Sequence, residues 1–528
     1  MSIVSKLREQ RPKQVLLISP TSSHEVARTK WLSANLGIER LAGHLKQHGH
    51  YGETYDTNLH NLLPEGMSLE EKLRERPWDI VGFSIQEDTM IADIANVQLA
   101  SRICPNALLI AGGHTAQFDY QTLLDKSPVR IVVLGEGERP LLALVEGTPL
   151  DEIPGIVFKN AAIPLSRKEF KEATENIDYE GIPYETYWDY YVKLYTEGGK
   201  ELTAEQSRLI HTVRIFTRNF CPMRCTFCST INFLPEASGK RVVPMAEISG
   251  VDLVNLLKRI IKAHPRVQNF YFTDDDFCSR RNQLIEFLNL VIEEKLPVSF
   301  FAFSRIDDID EEVAVLMKKA GFKGLHIGIE NFQPEILQEI NKEVNVETID
   351  KNLAILNRHG ILPSTTFILC TPNSKIEWIE STARRILEGY ENGTLSPGLN
   401  VMSQPQLGSQ LYEQHSDFET QNIPIPGTKH SLKRSHFVRC ADPETREFQY
   451  RFLHRWGSYV EELSKSEETG HLTSPAQTPI KLRMVLDVIR EIREERGKPD
   501  QFRYSGMTYE ERNALWMRLQ TFKYGASL

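Results

Sequence analysis

Cysteine is scarce in this chain, with seven in 528 residues. Three of them fall within Cys221–Cys228, while Cys104, Cys278, Cys370 and Cys440 are scattered without the rhythm of a disulfide framework. That argues against a stapled secreted fold and for a reducing compartment. Long apolar runs are also lacking: none approaches the ~20 residues that cross a bilayer, so no membrane span is expected. Met1–Gln14 is polar and basic rather than charged and then apolar, so no secretory leader is expected and a cytoplasmic location is. Nor is there an excess of positive charge, since 62 basic residues face 71 acidic ones for a net charge of −9. This balance argues against a broad phosphate-binding surface, and nucleic acid is not an expected partner. No internal repeat or low-complexity tract stands out. What is present is an ordinary globular composition, 41% hydrophobic and 25% charged, in a chain long enough for about three domains.

The cysteine-rich stretch reads Cys221-Pro222-Met223-Arg224-Cys225-Thr226-Phe227-Cys228. Three thiolates on one short loop can bind three irons of a [4Fe–4S] cube. With no fourth ligand nearby, one iron stays open to a small molecule. A structural zinc knot would need a fourth Cys or His close in sequence, and that partner is missing.

Upstream, Gln14–Ser19, Asp79–Ser84, Ala107–Gly113 and Val129–Gly135 are short apolar runs that read as buried parallel strands. A helix is expected from Gly37, where Ile38, Leu41, Ala42 and Leu45 share a face and Gly49 supplies the stop. The alternation predicts a doubly wound, Rossmann-like α/β domain over residues 1–160. Ligands of such domains sit beyond the carboxyl ends of the strands. Here those ends carry Ser84 and Gln86, then Gly112, Gly113 and His114, then Gly135, Glu136, Gly137 and Glu138. Glycines on a rim let a bulky planar ligand approach the backbone, although any one of them can simply make a turn.

Residues 161–207 read as a linker; its aromatic residues Tyr184, Tyr187, Trp188, Tyr190 and Tyr191 suit packing, or the lining of a substrate path. From 208 to 410, Thr212–Thr217 forms a strand leading into the cysteine loop. Five helix–strand pairs follow, predicting a partial (β/α)6 TIM-like barrel with its chemistry at the carboxyl ends of the strands. Those ends carry Asp274-Asp275-Asp276-Phe277, Ser304-Arg305 and Gly328-Ile329-Glu330. Such acids and an arginine suit the ammonium, ribose and carboxylate of S-adenosylmethionine (SAM) chelated to the open iron; a solvated loop or divalent-metal site at Asp274–Asp276 and a surface ion pair at Arg305 are the alternatives. Residues 411–528 lose the alternation and are expected to form a mostly helical domain.

Two resemblances follow from these residues. The AGGH and GEGE stretches make residues 10–160 similar to the cobalamin-binding domain that precedes many radical SAM enzymes, which implies cobalamin contacts at Ser84, Gln86, Gly112, Gly113, His114 and Gly135–Glu138. Domains that ligate cobalt from below carry D-x-H-x-x-G after the first strand. Here Ser22-Ser23-His24-Glu25-Val26-Ala27 keeps only the histidine, so His24 is a candidate lower ligand without its usual partners. The C-x3-C-x2-C loop with Phe227 before its last cysteine resembles the radical SAM superfamily over residues 208–410. It implies a [4Fe–4S] cluster on Cys221, Cys225 and Cys228, with SAM held by Phe227, Asp274 or Asp275, Ser304, Arg305 and Glu330. Leu369–Asn373 and Gln404–Gly408 depart from the branch's G-x-P-G-E and P-x-P-G-T forms.

The combined resemblance implies a cobalamin-dependent radical SAM enzyme, most simply a C-methyltransferase. A 5′-deoxyadenosyl radical would abstract hydrogen from a weakly activated carbon, which then takes a methyl group from methylcobalamin. The two ligand-bearing rims are then expected to face one cavity. A cobalamin-dependent cyclase or rearrangement enzyme is the alternative, and a non-catalytic cobalamin or redox sensor a third reading. A methylthiotransferase would need three cysteines in the first domain to hold a second cluster, and only Cys104 stands there. The implied partners are a small-molecule, lipid or peptide substrate and an electron donor such as flavodoxin or ferredoxin.

Overall fold

A computed structural model describes residues 11–21, 33–63, 65–159, 161–165, 177–219, 221–240, 246–415, 417–425, 428–464 and 474–495. His24 lies outside the described residues. The chain divides into two compact units, Met1–Pro222 with Ser229–Asp274 and Asn422–Leu432, and Met223–Cys228 with Asp275–Gln421 and Lys433–Leu528.

The first unit is built on a seven-stranded sheet in the order β2-β1-β3-β4-β5-β6-β7. Its strands are β1 (Gln14–Ile18), β2 (Tyr51–Tyr55), β3 (Ile80–Ser84), β4 (Leu108–Gly112), β5 (Ile131–Val133), β6 (Ile156–Phe158) and β7 (Ala161–Ile163). The first five strands run parallel, and β6 and β7 add an antiparallel edge. The apolar runs are continuous because both faces are covered. Leu16, Ile18, Val81, Phe83, Leu109, Ala111 and Val132 enter one core; Val15, Leu17, Ile80, Leu108, Ile110, Ile131 and Val133 enter the other. Strand β2 escapes the sequence pattern because, on its polar edge, only Gly52 and Tyr55 are buried. The expected helix spans Leu36–Gln47 and is N-capped by Asn35. In the connector, Tyr184, Tyr187, Trp188 and Tyr191 are buried on helix Tyr184–Thr196, so these four pack.

The predicted barrel strands are all present as β8 (Thr212–Ile215), β9 (Asn269–Phe272), β10 (Ser299–Ser304), β11 (Phe322–Glu330), β12 (Leu362–Cys370) and β13 (Ser396–Met402); β8 and β9 pair in parallel in the first unit, and β10, β11, β12 and β13 pair in parallel in that order in the second. The expected helices follow β9 to β12 at Arg281–Glu294, Glu311–Ala320, Val346–Arg358 and Ile376–Glu391. In the second unit, Phe300, Ala302, Leu325, Ile327 and Phe367 are fully buried on one face of the strands. Phe303, His326, Ser364 and Ser396 share one row on the other face.

The C-terminal region holds the expected helices, Pro443–Ser464 and Ser474–Glu495, and also a two-stranded sheet that the sequence did not announce, β14 (Phe418–Pro424) with β15 (Ser431–Val438). Helix Ser474–Glu495 packs on helix Ile376–Glu391 and on β13. Among the described residues no helix is long and apolar enough to cross a membrane.

Candidate functional site

In the second unit the loop Met223–Cys228 is held by its backbone. Thr226 N donates to Ile340 O at 3.0 Å, Leu411 N donates to Thr226 O at 2.8 Å, and Asn341 Nδ2 donates to Arg224 O at 2.8 Å. Cys225 is 8% exposed, whereas Cys228 and Phe227 are half-buried. Burial pushes the Cys225 thiol up, and the Lys342 and Arg305 cations pull it back down. Arg305 Nη1 lies 4.0 Å from Cys225 Sγ, its Nη2 donates to Lys342 O at 2.5 Å, and its Nε and Nη2 grip the Asp307 carboxylate at 3.0 and 2.9 Å. The net direction is upward, so the two cations offset only part of the cost of a thiolate, the form that binds metal, at this buried position. This electrostatic environment fits an anionic thiolate–iron cluster. Among the described residues no three His, Cys, Asp or Glu side chains are gathered as a preformed metal site.

Glu330 is 6% exposed, adopts φ +67° and pairs with Lys342 Nζ at 3.2 Å. Gly328 explains the Gly328-Ile329-Glu330 pattern. A Cβ at 328 would stand 2.3 Å from Glu330 Oε1 and 2.9 Å from Lys342 Nζ, so a larger residue there would have to push the ends of the ion pair aside. Lys342 and Asp307 escaped the sequence reading, because no local pattern links Lys342 to an acid twelve residues upstream. Ser304 turns its hydroxyl to Arg305 O at 3.1 Å.

The three consecutive aspartates separate. Asp274, in the first unit, is 1% exposed and accepts from Thr217 N, Arg218 N and Thr217 Oγ1 at 2.7, 2.8 and 2.8 Å. Burial raises its carboxyl to about 6 against these hydrogen bonds. It braces the chain just before Cys221. In the second unit, Asp275 is exposed. Asp276 is buried, accepts from Arg305 N at 3.3 Å and helps push Asp308 up to about 8, the larger cause there being burial.

On the carboxyl rim of the first sheet, register sets Ser84 beside Gly112. Gly113 has φ +93°, and a Cβ there would stand 3.2 Å from Ser84 Oγ and Ile85 O. Gln86 is exposed. His114 is half-buried, bonds to the Ser229 backbone and is pushed down to about 4 by burial. The β5 end is packed: a Cβ on Gly135 would meet Leu165 Cδ1 at 2.7 Å and Ala237 Cβ at 2.8 Å, and one on Gly137 would meet Leu41 Cδ2 at 3.1 Å. Glu136 and Glu138 converge on Arg40, whose guanidinium lies 5.2 Å from the Phe216 ring centre. Burial raises the Glu136 carboxyl to about 7 despite the arginine. Near the β1 end, Thr21 N and Thr89 Oγ1 donate to the buried Asp93 at 2.8 and 2.6 Å, and Asn96 Nδ2 donates to Thr21 Oγ1 at 2.7 Å. The small side chains at the β3 and β4 ends and this polar network beside β1 suit a large amide-bearing ligand, whereas the β5 glycines are occupied by protein.

The sequence profile of the Radical SAM superfamily matches residues 215–386, and that of the B12 binding domain matches residues 26–145. The chain joins a B12-binding domain to a radical SAM domain. The radical SAM domain implies a [4Fe–4S] cluster and SAM, and the B12-binding domain implies cobalamin. The chain is 26% identical over 361 residues to the anaerobic magnesium-protoporphyrin IX monomethyl ester cyclase of Rubrivivax gelatinosus, covering 65% of this chain and 60% of the cyclase. It is 27% identical over 324 residues to the hopanoid C-3 methylase of Methylococcus capsulatus, covering 59% of this chain and 56% of the methylase. The match thus spans less than two thirds of either relative. The fold is that of the radical SAM methyltransferase TsrM from Kitasatospora setae, solved with cobalamin and a [4Fe–4S] cluster bound, at a TM-score of 0.61 and 15% identity over 92% of this chain and all of that one.

Proposed function

We propose that this protein is a cobalamin-dependent radical SAM enzyme that methylates a weakly activated carbon. The observation that carries the reading is the presence of a B12-binding and a radical SAM domain on one chain. The proposed cluster ligands are Cys221, Cys225 and Cys228, with Arg305 and Lys342 neutralising charge at Cys225. Asp275, exposed beside the fully engaged Asp274, takes the SAM ammonium, and Glu330 the ribose side. Phe227, Ser304 and Arg305 complete that site. Ser84, Gln86, Gly112 and Gly113 are the proposed cobalamin contacts; His114 and Gly135–Glu138 border them. A bound, reduced cluster would supply the one electron for reductive cleavage of SAM to methionine and a 5′-deoxyadenosyl radical, and bound cobalamin would carry the methyl group. The substrate is a small molecule, lipid or peptide, and a flavodoxin or ferredoxin supplies electrons.

A cyclase or rearrangement activity is the second reading, favoured by the likeness to the Rubrivivax cyclase. Anaerobic incubation of reconstituted protein with SAM, hydroxocobalamin, a strong reductant and candidate substrates separates the two. Methyl transfer yields S-adenosylhomocysteine alongside 5′-deoxyadenosine. 5′-Deoxyadenosine alone, with a substrate consumed and no methyl gained, sinks the methyltransferase reading in favour of the second.

A further inference from the structure

Helix Thr230–Ser238 begins immediately after Cys228 and Ser229, yet its apolar face belongs to the core of the B12-binding domain. Leu234 and Ala237 are almost fully buried with Leu109, Ala111, Val132 and Leu134. Leu165 N donates to Ala237 O at 2.8 Å, which ties the helix to the chain beyond β7.

Two residues just past β4 fasten the start of this helix. The Gln117 side chain is spent on both ends: Nε2 donates to Phe233 O at 2.6 Å, and Oε1 accepts from Gly135 N at 2.7 Å. The partners fix the amide's orientation, since a carbonyl needs a donor and an N–H needs an acceptor. His114 bonds to the Ser229 backbone and stacks on Phe233, with ring centres 5.7 Å apart and planes 12° from parallel. Ser229 is peptide-bonded to Cys228. His114 in turn follows Gly112 and Gly113, which border Ser84 on the rim. Gly113 and Ser229 are thus joined through His114, and Ser229 directly follows Cys228 in the chain.

We propose that His114 and Gln117 are positioning residues that fasten the segment after Cys228 to the cobalamin rim, so that loading of the cysteine loop and binding of cobalamin are thermodynamically linked. The inference rests on the functional reading above and goes beyond it. Linkage is reciprocal, so each cofactor must raise the affinity for the other by the same factor, and coupled sites typically show about 5- to 150-fold.

The test is an anaerobic titration of the full chain with hydroxocobalamin, followed by absorbance, on cluster-free and cluster-reconstituted protein. The wild type is expected to bind about tenfold more tightly once the cluster is in place, within that typical span. Gln117→Glu keeps the acceptor for Gly135 and loses the donor to Phe233. In it the factor should fall to about one, while cluster-free affinity and iron uptake stay within about twofold of wild type. Phe233→Leu, which keeps the helix apolar but removes the stack, should reduce the factor in the same direction and guards against misfolding of the first variant. The electron paramagnetic resonance spectrum of the reduced cluster should change on adding hydroxocobalamin in the wild type but not in Gln117→Glu. Equal affinities in wild type with and without cluster, or a wild-type factor in both variants, overturn the linkage alone. Failure of the wild type to take up either cofactor overturns the functional reading together with it.

Discussion

Glu330 holds a left-handed backbone, φ +67°, while its carboxylate meets Lys342 Nζ at 3.2 Å, both side chains being buried. Such a conformation costs a non-glycine residue about 1–3 kcal/mol and persists only where the surroundings over-determine it. Lys342 supplies that reason, and Gly328 supplies the space. Glu330→Gln leaves a buried lysine without its counter-charge, and breaking such a pair costs about 3–5 kcal/mol. Gly328→Ala should instead displace Glu330 with the charges intact. Urea unfolding should therefore separate the two, with the larger loss in Glu330→Gln, while calorimetry should show weakened SAM binding in both.

Asp274 and Asp275 should fail differently. Asp274→Asn loses at least one of three buried hydrogen bonds to Thr217 and Arg218. Leaving such groups unsatisfied costs about 1–3 kcal/mol, so the melting temperature and iron uptake should both fall. Asp275→Asn, at an exposed position, should cost less stability than Asp274→Asn and lower SAM affinity. Equal SAM affinity in Asp275→Asn and wild type would return the ammonium role to Asp274.

Burial raises the Asp93 carboxyl from 3.8 to about 8. A folded-state carboxyl raised above its unfolded value binds its proton more tightly than the unfolded chain does. Its stabilising contribution is thus complete below about pH 4 and is lost as pH rises through about 8. Asp93→Asn mimics the protonated form and removes this dependence. Between pH 6 and 9 the wild-type urea midpoint should fall relative to that of Asp93→Asn. A constant difference across that range would contradict the buried, protonated state.

Much of this architecture is legible in the residues because both faces of the parallel strands are buried, which makes β1, β3, β4 and β5 continuous apolar runs. The barrel helices are legible for a different reason, since their apolar faces repeat at helical spacing. Strand β2 is hidden by its polar edge position, and the β14–β15 pair by the absence of apolar alternation. At the site, Cys221–Cys228 and Gly328-Ile329-Glu330 announce themselves locally. Lys342 beside Glu330, Arg40 between Glu136 and Glu138, and Gln117 between Gly135 and Phe233 do not, because each pairing is made by the fold across 12 to 116 positions of sequence. The division of labour between Asp274 and Asp275 is also a property of the fold, since sequence alone gives two adjacent carboxylates of equal standing.

Arg305 should matter to Cys225 even without a cluster. In cluster-free protein, Arg305→Met removes a cation 4.0 Å from the thiol and leaves burial to act with less opposition. The thiol should rise further, so alkylation of Cys225 at pH 8, followed by mass spectrometry, should slow severalfold relative to Cys228. An unchanged ratio would show that the guanidinium does not set the thiolate fraction.

The central claim is tested most directly by the release of 5′-deoxyadenosine from SAM by anaerobically reconstituted protein under a strong reductant, with Cys225→Ala treated identically. Wild type should take up about four irons per chain and release 5′-deoxyadenosine, while Cys225→Ala should lose the cluster and the product together. Wild type that carries its cluster and releases no more 5′-deoxyadenosine than Cys225→Ala would contradict the account.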